Sequence, residues 1–333
     1  MIKRIEEINK RKEYNFQAFT LVASYLNNCP DLVTKEIICD ITNGDKEAEE
    51  RAFSAFLSNV FLEDENAAYR LEKEYISKGV KKLNPEEYIQ NPFFANVKIP
   101  CDKMGEWQLG YQTYAPYEGF IYRDIIVEDD YTEIPQIGFF SEEFTYPTVF
   151  QNGREWMAIK PNEIETMKKP IEKAEGRVLV YGLGIGYFTY MASEKKQVDS
   201  VTVVERDENA ISLFKTHILP QFPNKHKISI VSSDAFDFAE KEMKKGDFTY
   251  VFTDLWHDVS DGVDLYVKIK KYEALCPNSS FEYWIEDSIL SSVRWNIFEA
   301  MYKKFKSGDF SATKEEMEQY LTSDYLKQLV KFL

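Results

Sequence analysis

The chain has 333 residues, 44% of them hydrophobic, with 41 basic and 56 acidic side chains and a formal net charge of −15. That length suggests about two domains. The charge disfavours long nucleic acid as a partner, because a non-specific grip on phosphates needs basic residues clustered on one face; the pairs Lys168-Lys169, Lys195-Lys196, Lys244-Lys245 and Lys270-Lys271 are short and scattered. An acidic surface suits a cationic or neutral small substrate.

Residues 1–95 read as a helical N-terminal domain. Phe16–Leu26, Ala48–Leu62 and Asn66–Val80 carry apolar residues at helical spacing, with Gly79 as a stop and Asn84-Pro85 and Asn91-Pro92 as punctuation. The opening MIKRIEEINKRKEY lacks the apolar core of a secretory signal, and no apolar run is long enough to span a bilayer. Cys29, Cys39, Cys101 and Cys276 lie far apart, and His217, His226 and His257 do not cluster, so no metal site is expected. Together these features predict a reducing, cytoplasmic setting and no membrane partner.

Residues 96–165 change character, with short Tyr-, Phe-, Ile- and Val-rich segments broken by Gly, Pro and acidic pairs. Gly119–Asp129 alternates as a strand does, and Thr148–Lys160 places Asn152-Gly153 between two strand-like flanks, a hairpin signal. A small β-rich unit is expected here. From residue 166 to 305 strands and helices alternate: strands at 177–181, 200–205, 227–231, 247–254 and 281–287, each leading into a helical stretch. Short links between them imply a doubly wound parallel sheet with helices on both faces. Residues 306–333 read as a helical extension, with Ser311 as a candidate cap.

Three glycines, Gly182, Gly184 and Gly186, follow the first of these strands in the order GLGIG. A Walker loop needs a different spacing and a lysine, and a dinucleotide turn has its third glycine one residue later. The neighbours sharpen the reading. Glu205 ends the second strand, where an acidic side chain can accept hydrogen bonds from ribose hydroxyls. Asp234-Ala235-Phe236 follows the third, offering a carboxylate to an exocyclic amine and a small residue that lets a ring approach. Asp254-Leu255-Trp256-His257-Asp258 follows the fourth. All these positions fall at the carboxyl ends of strands, where such sheets bind ligands.

With these motifs the chain resembles the class I S-adenosylmethionine-dependent methyltransferases over residues 150–300, and within them is most similar to the spermidine synthase branch. The hairpin Phe150-Gln151-Asn152-Gly153, the segment Asn162-Glu163-Ile164-Glu165-Thr166-Met167, the run Val203-Val204-Glu205-Arg206-Asp207 and Ser233-Asp234-Ala235-Phe236 carry that similarity. The resemblance implies a Rossmann-like α/β fold preceded by the β-rich unit and the helical domain. It implies S-adenosylmethionine, or its decarboxylated form, held by Tyr181, Gly182, Gly184, Gly186, Glu205, Arg206, Asp234 and Ala235. Two departures matter: Ile185 stands where aminopropyltransferases carry an acidic loop residue, and Asp254 and Asp258 are one residue further apart than the usual pair. Both favour methyl transfer, to a small-molecule or protein acceptor, over aminopropyl transfer to a polyamine. A non-catalytic nucleotide-binding module is the third reading. No Asp/Asn-Pro-Pro-Tyr/Phe motif follows the fourth strand, which argues against DNA base methylation.

A sulfonium donor is already activated, so the protein mainly aligns it with a neutral nucleophile. Asp254 is the first candidate to take or hold the nucleophile's proton, and Asp258 the second. Trp256 is a candidate wall of the acceptor pocket. His257 is a candidate base whose plain alternative is a solvent-facing loop histidine. Residues 1–95 keep three open roles: a lid, a substrate-selecting domain, or the interface of a homo-oligomer.

Overall fold

Strands buried on both faces need nearly continuous apolar runs. In the computed structural model, which describes residues 2–62 and 64–332, five parallel strands form, Gly176–Tyr181, Val198–Glu205, Ile228–Ser232, Tyr250–Thr253 and Ser280–Tyr283, and the first and fourth are such runs. Numbered along the chain, they lie in the order 3-2-1-4-5, and every pairing is parallel. The first strand is central, and Val178, Leu179, Val180 and Tyr181 are all buried. With right-handed crossovers this order makes a Rossmann-like doubly wound sheet. Its order reverses between the first and fourth strands, where Tyr181 pairs with Thr253. Sheets of this kind bind ligands in the crevice at such a reversal, on the carboxyl edge, which here lies beside Gly182 and Asp254.

The helices that return the chain start on acidic caps. Asp207 accepts from the N–H groups of Asn209 and Ala210 to start Glu208–Leu213, and Asp234 accepts from those of Phe236 and Asp237 to start Ala235–Lys241. Asp258 and Asp261 cap each other's backbone at the start of Val259–Lys270. Such caps satisfy N–H groups that a helix cannot bond internally.

The chain divides into two compact units. The sheet belongs to the unit built from Glu86–Gln112, Tyr146–Ser292 and the residues from Leu326 onward. This unit also holds the predicted hairpin turn, between strands Phe144–Gln151 and Arg154–Ala158. Asn152 and Gly153 have φ of 53° and 77°, the paired left-handed geometry of a tight hairpin turn. A charged cluster ties its last residues down. Lys270 lies over the rings of Tyr266 and Tyr283, 4.9 and 4.4 Å from their centroids. It bonds Glu273 at 2.9 Å and Glu286 at 3.2 Å, and those carboxylates also take Lys331 and Lys327, each at 2.7 Å.

The other unit comprises the residues up to Pro85, Thr113–Thr145 and Val293–Tyr325. Helices Ile2–Asn28, Lys35–Thr42 and Glu49–Val60 and a short sheet of Val80–Lys82, Ile137–Phe139 and Phe120–Ile121 surround one core. Tyr25, Phe53, Leu57, Tyr75, Ile137 and Phe139 are fully buried there, with Phe53 stacked on Phe139. Gly79 ends its helix as expected, and a Cβ there would lie 1.9 Å from the Pro135 carbonyl oxygen. A buried ion pair crosses the unit: Arg294 Nη1 reaches Glu133 Oε1 at 2.7 Å while Trp295 donates to Glu133 Oε2 at 2.8 Å.

Several local expectations differ. Gly119–Asp129 is not one strand: Phe120–Ile121 and Ile126–Val127 join two different sheets. The fifth parallel strand stops at Tyr283, and Ile285 takes a left-handed φ of 46° before helix Glu286–Lys306. Thr313, not Ser311, caps helix Lys314–Leu321, because Glu316 three residues on completes a reciprocal capping box. No helix among the described residues is long and apolar enough to cross a membrane.

Candidate functional site

The glycine turn is where the chain must leave a central strand and start a helix within a few residues. Gly182, Gly184 and Gly186 have φ of 95°, 52° and 83°, left-handed values that glycine adopts without strain. Each also faces a close neighbour. An added Cβ would sit 2.0 Å from the Asp254 carbonyl oxygen at Gly182, 2.1 Å from Met157 Sδ at Gly184 and 2.3 Å from the Phe214 ring at Gly186. At Gly182 and Gly186 the neighbours are packed backbone and a core ring. At Gly184 the neighbour is a flexible thioether, which also accepts the Ile185 N–H at 3.1 Å. Ile185 itself is fully buried.

Glu205 meets this turn directly. Its Oε2 accepts the Leu183 N–H at 3.2 Å, and its Oε1 accepts those of Arg206 and Asp207 at 2.8 and 2.9 Å. A carboxylate has about four acceptor positions, so three backbone donors leave room for one more. Asp234 is occupied as a helix cap through Oδ1, and Ala235 is buried beside it. The Tyr181 ring is also buried, its hydroxyl against Met243 Sδ at 3.3 Å, so only its backbone belongs to the crevice: its carbonyl accepts the Asp254 N–H at 2.9 Å. Arg206 is exposed.

After the fourth strand the candidate residues separate by environment. Burial pushes the Asp254 carboxyl up to about 7, a value suited to exchanging protons near neutrality. Hydrogen bonding from the Ser260 side chain, and after it from the Ser260 backbone N–H, holds Asp258 below the usual carboxylate range, which makes it a poor proton acceptor there. Trp256 is buried; its indole N–H donates to the Trp284 carbonyl at 3.2 Å and its ring meets Tyr266 edge-on. His257 is exposed and stacks on Trp156 with ring centroids 6.0 Å apart.

One residue stands out in the sequence only as part of the segment Asn162–Met167, with no role of its own. Glu163, in the first turn of helix Pro161–Lys173, is buried, and its Oε2 has no hydrogen-bond partner. Burial first, and then the nearby charge of Asp254, push its carboxyl well above the usual range; Lys160 acts in the opposite sense. An acidic residue in a first helical turn reads as a cap or a dipole partner, and only tertiary packing reveals this one as buried.

No protein-family model and no curated protein matches the chain. Solved structures overlap parts of it. One assigned to an O-methyltransferase from Klebsiella pneumoniae is 16% identical, with a TM-score of 0.24 over 29% of this chain and 43% of that one. Spermidine synthase from Thermotoga maritima is 14% identical, with a TM-score of 0.31 over 41% and 49%. Precorrin-8w decarboxylase from Methanobacterium thermoautotrophicum is 20% identical, with a TM-score of 0.27 over 41% and 66%. The chain thus spans about half or less of the first two structures and about two thirds of the third. At these TM-scores the overlaps carry no argument, and the Rossmann-like reading rests on the strand order itself.

Proposed function

We propose that the chain is an S-adenosylmethionine-dependent transferase that methylates a small-molecule or protein acceptor. The observation that carries this reading is Glu205 reaching back to the Leu183 N–H at the reversal point of a 3-2-1-4-5 parallel sheet. An acidic strand end joined to a glycine turn in that crevice suits a nucleoside ribose. The fit is supported at Gly184, where a movable thioether rather than backbone fills the close space. Glu205 and the Gly182–Gly186 turn would hold the sugar and the thioether arm, and Asp234 and Ala235 the base. The bound donor supplies an activated methyl group. The protein's part is then to align the acceptor and manage its proton, and Asp254, with its carboxyl at about 7, is the group for that.

Aminopropyl transfer is the second reading, favoured by the carboxyls of Glu163 and Asp254, the second of which acts by its charge on the first, because such a pair suits an amine acceptor. Titration calorimetry with S-adenosylmethionine and with its decarboxylated form separates the readings. Methyl transfer requires binding of the carboxylated donor, and a clear preference for the decarboxylated one supports the second reading. Indifference to both removes the transferase proposal and leaves an interaction module of unassigned ligand.

A further inference from the structure

A β-branched residue held at positive φ is a backbone outlier, and such strain persists only where the surroundings fix it. Ile285 takes its φ of 46° just past the carboxyl end of the fifth parallel strand. The buried residue before it, Trp284, makes three bonds that hold the bend. Its backbone N–H donates to the Thr253 carbonyl at 2.9 Å, and its carbonyl accepts the Trp256 indole N–H at 3.2 Å. Its own indole N–H donates to the Thr166 hydroxyl at 2.9 Å, on helix Pro161–Lys173. Trp284 therefore grips the chain on both sides of Asp254 and ties that segment to a helix. Trp256 is also confined from helix Val259–Lys270, where a Cβ added to Gly262 would lie 3.0 Å from the indole. Asp254 is bonded to the central strand in turn, its N–H donating to the Tyr181 carbonyl at 2.9 Å, and its carbonyl oxygen faces Gly182. The contacts run unbroken from the fifth strand through Asp254 to the glycine turn.

We propose that Trp284 is a positioning residue of the site: it holds the segment from Thr253 to Trp256 rigid, so that Asp254 keeps one place beside the glycine turn. The assignment rests on the transferase reading, in which Asp254 manages the acceptor's proton. The strained Ile285 turns the chain from the fifth strand into helix Glu286–Lys306 with Trp284 left at the bend, where its backbone and its indole serve three partners at once. Burial pushes the Asp254 carboxyl up to about 7, so a loosened segment admits water and lets that value fall. Glu163, on the same helix as Thr166, is the titratable group that the Asp254 charge reaches. The bond from Trp284 to Thr166 ties that helix to the segment.

The test follows the Asp254 carboxyl by NMR across pH in the full chain with isotope-labelled aspartate, the signal being assigned by its loss in Asp254→Asn. Trp284→Phe removes the indole N–H, and Thr166→Val removes its acceptor. In both variants the Asp254 midpoint is expected to fall by about one pH unit, a tenfold loss of proton affinity. Thr166→Ser keeps the hydroxyl and is expected to keep the parent midpoint, an outcome that a merely structural role for the side chain would not produce. Thr166→Val, close to threonine in shape, covers the case of a poorly folded Trp284 variant. A midpoint unmoved in either folded variant, or moved as far in Thr166→Ser as in Thr166→Val, overturns the assignment. S-adenosylhomocysteine titrated into the parent chain reports on the transferase reading separately. Its failure to bind, with the midpoint shifts intact, removes that reading and keeps Trp284 as the residue that places Asp254.

Discussion

The sulfur of Met157 accepts the Ile185 N–H at 3.1 Å and fills the space above Gly184. If a nucleoside thioether lies along the glycine turn, this side chain must leave first, and its departure costs binding free energy. Met157→Ala is therefore expected to tighten S-adenosylhomocysteine by about tenfold, the effect of removing roughly 1.4 kcal/mol of opposing contact. Calorimetry checks it, and weaker or unchanged binding would place the ligand away from Gly184.

Glu205 ties three backbone N–H groups of the turn and the following loop. Glu205→Ala leaves these donors to find water, at about 1–3 kcal/mol of stability. Denaturant unfolding reads the total, and faster amide exchange confined to Leu183, Arg206 and Asp207 identifies the cause. Donor affinity should fall as well; a stability loss with affinity unchanged would exclude Glu205 as the ribose partner.

The pH dependence of stability has a definite sign at Glu163 and Asp254. Both carboxyls bind protons more tightly in the folded state than in the unfolded one, so each contributes most favourably at low pH and loses that contribution as the pH rises, for Asp254 from about 4 through about 7. For Asp254 the span from the ordinary 3.8 to about 7 corresponds to at most roughly 4 kcal/mol. Asp258, held low, works oppositely: its contribution is present near neutrality and is lost on acidification. Asp254→Asn should flatten the decline between pH 4 and pH 7 in urea titrations; an unaltered slope would mean that another group titrates there.

Lys270 is 4% exposed at its side chain and sits between two tyrosine rings and two glutamates. Burial works against the charged Glu286, but Lys270 and then Lys327 outweigh it and hold the carboxyl below its ordinary range. Lys270→Met leaves part of that charge unbalanced and is expected to cost on the order of 3 kcal/mol. Lys331→Met, at a side chain 32% exposed, should cost under about 1 kcal/mol. Thermal unfolding of both variants tests the ranking, and equal losses would refute it.

The parallel sheet was legible because strands buried on both faces leave runs such as VLVY and SVTVVE, and the hairpin because Asn152-Gly153 suits two left-handed residues. Glu205 and Asp254 could be placed at strand ends for the same reason. Less could be read where tertiary packing decides. Gly119–Asp129 alternates like a strand, yet its two ends find different partners. Tyr181 belongs to a strand end by position, but its ring goes into the core against Met243. Glu163 looks like any acidic first-turn residue until the fourth strand brings Asp254 to it. Asp254 and Asp258 look alike in sequence; burial of one and helix capping by the other drive their carboxyls in opposite directions.

Because Glu205 already holds Leu183, Arg206 and Asp207 by itself, the rim of the crevice is assembled before any ligand arrives. A molecule that docks there has little backbone left to order, so its association should carry a small conformational entropy cost. What selectivity the rim has would then come from the fit of a rigid edge rather than from a loop closing around its guest.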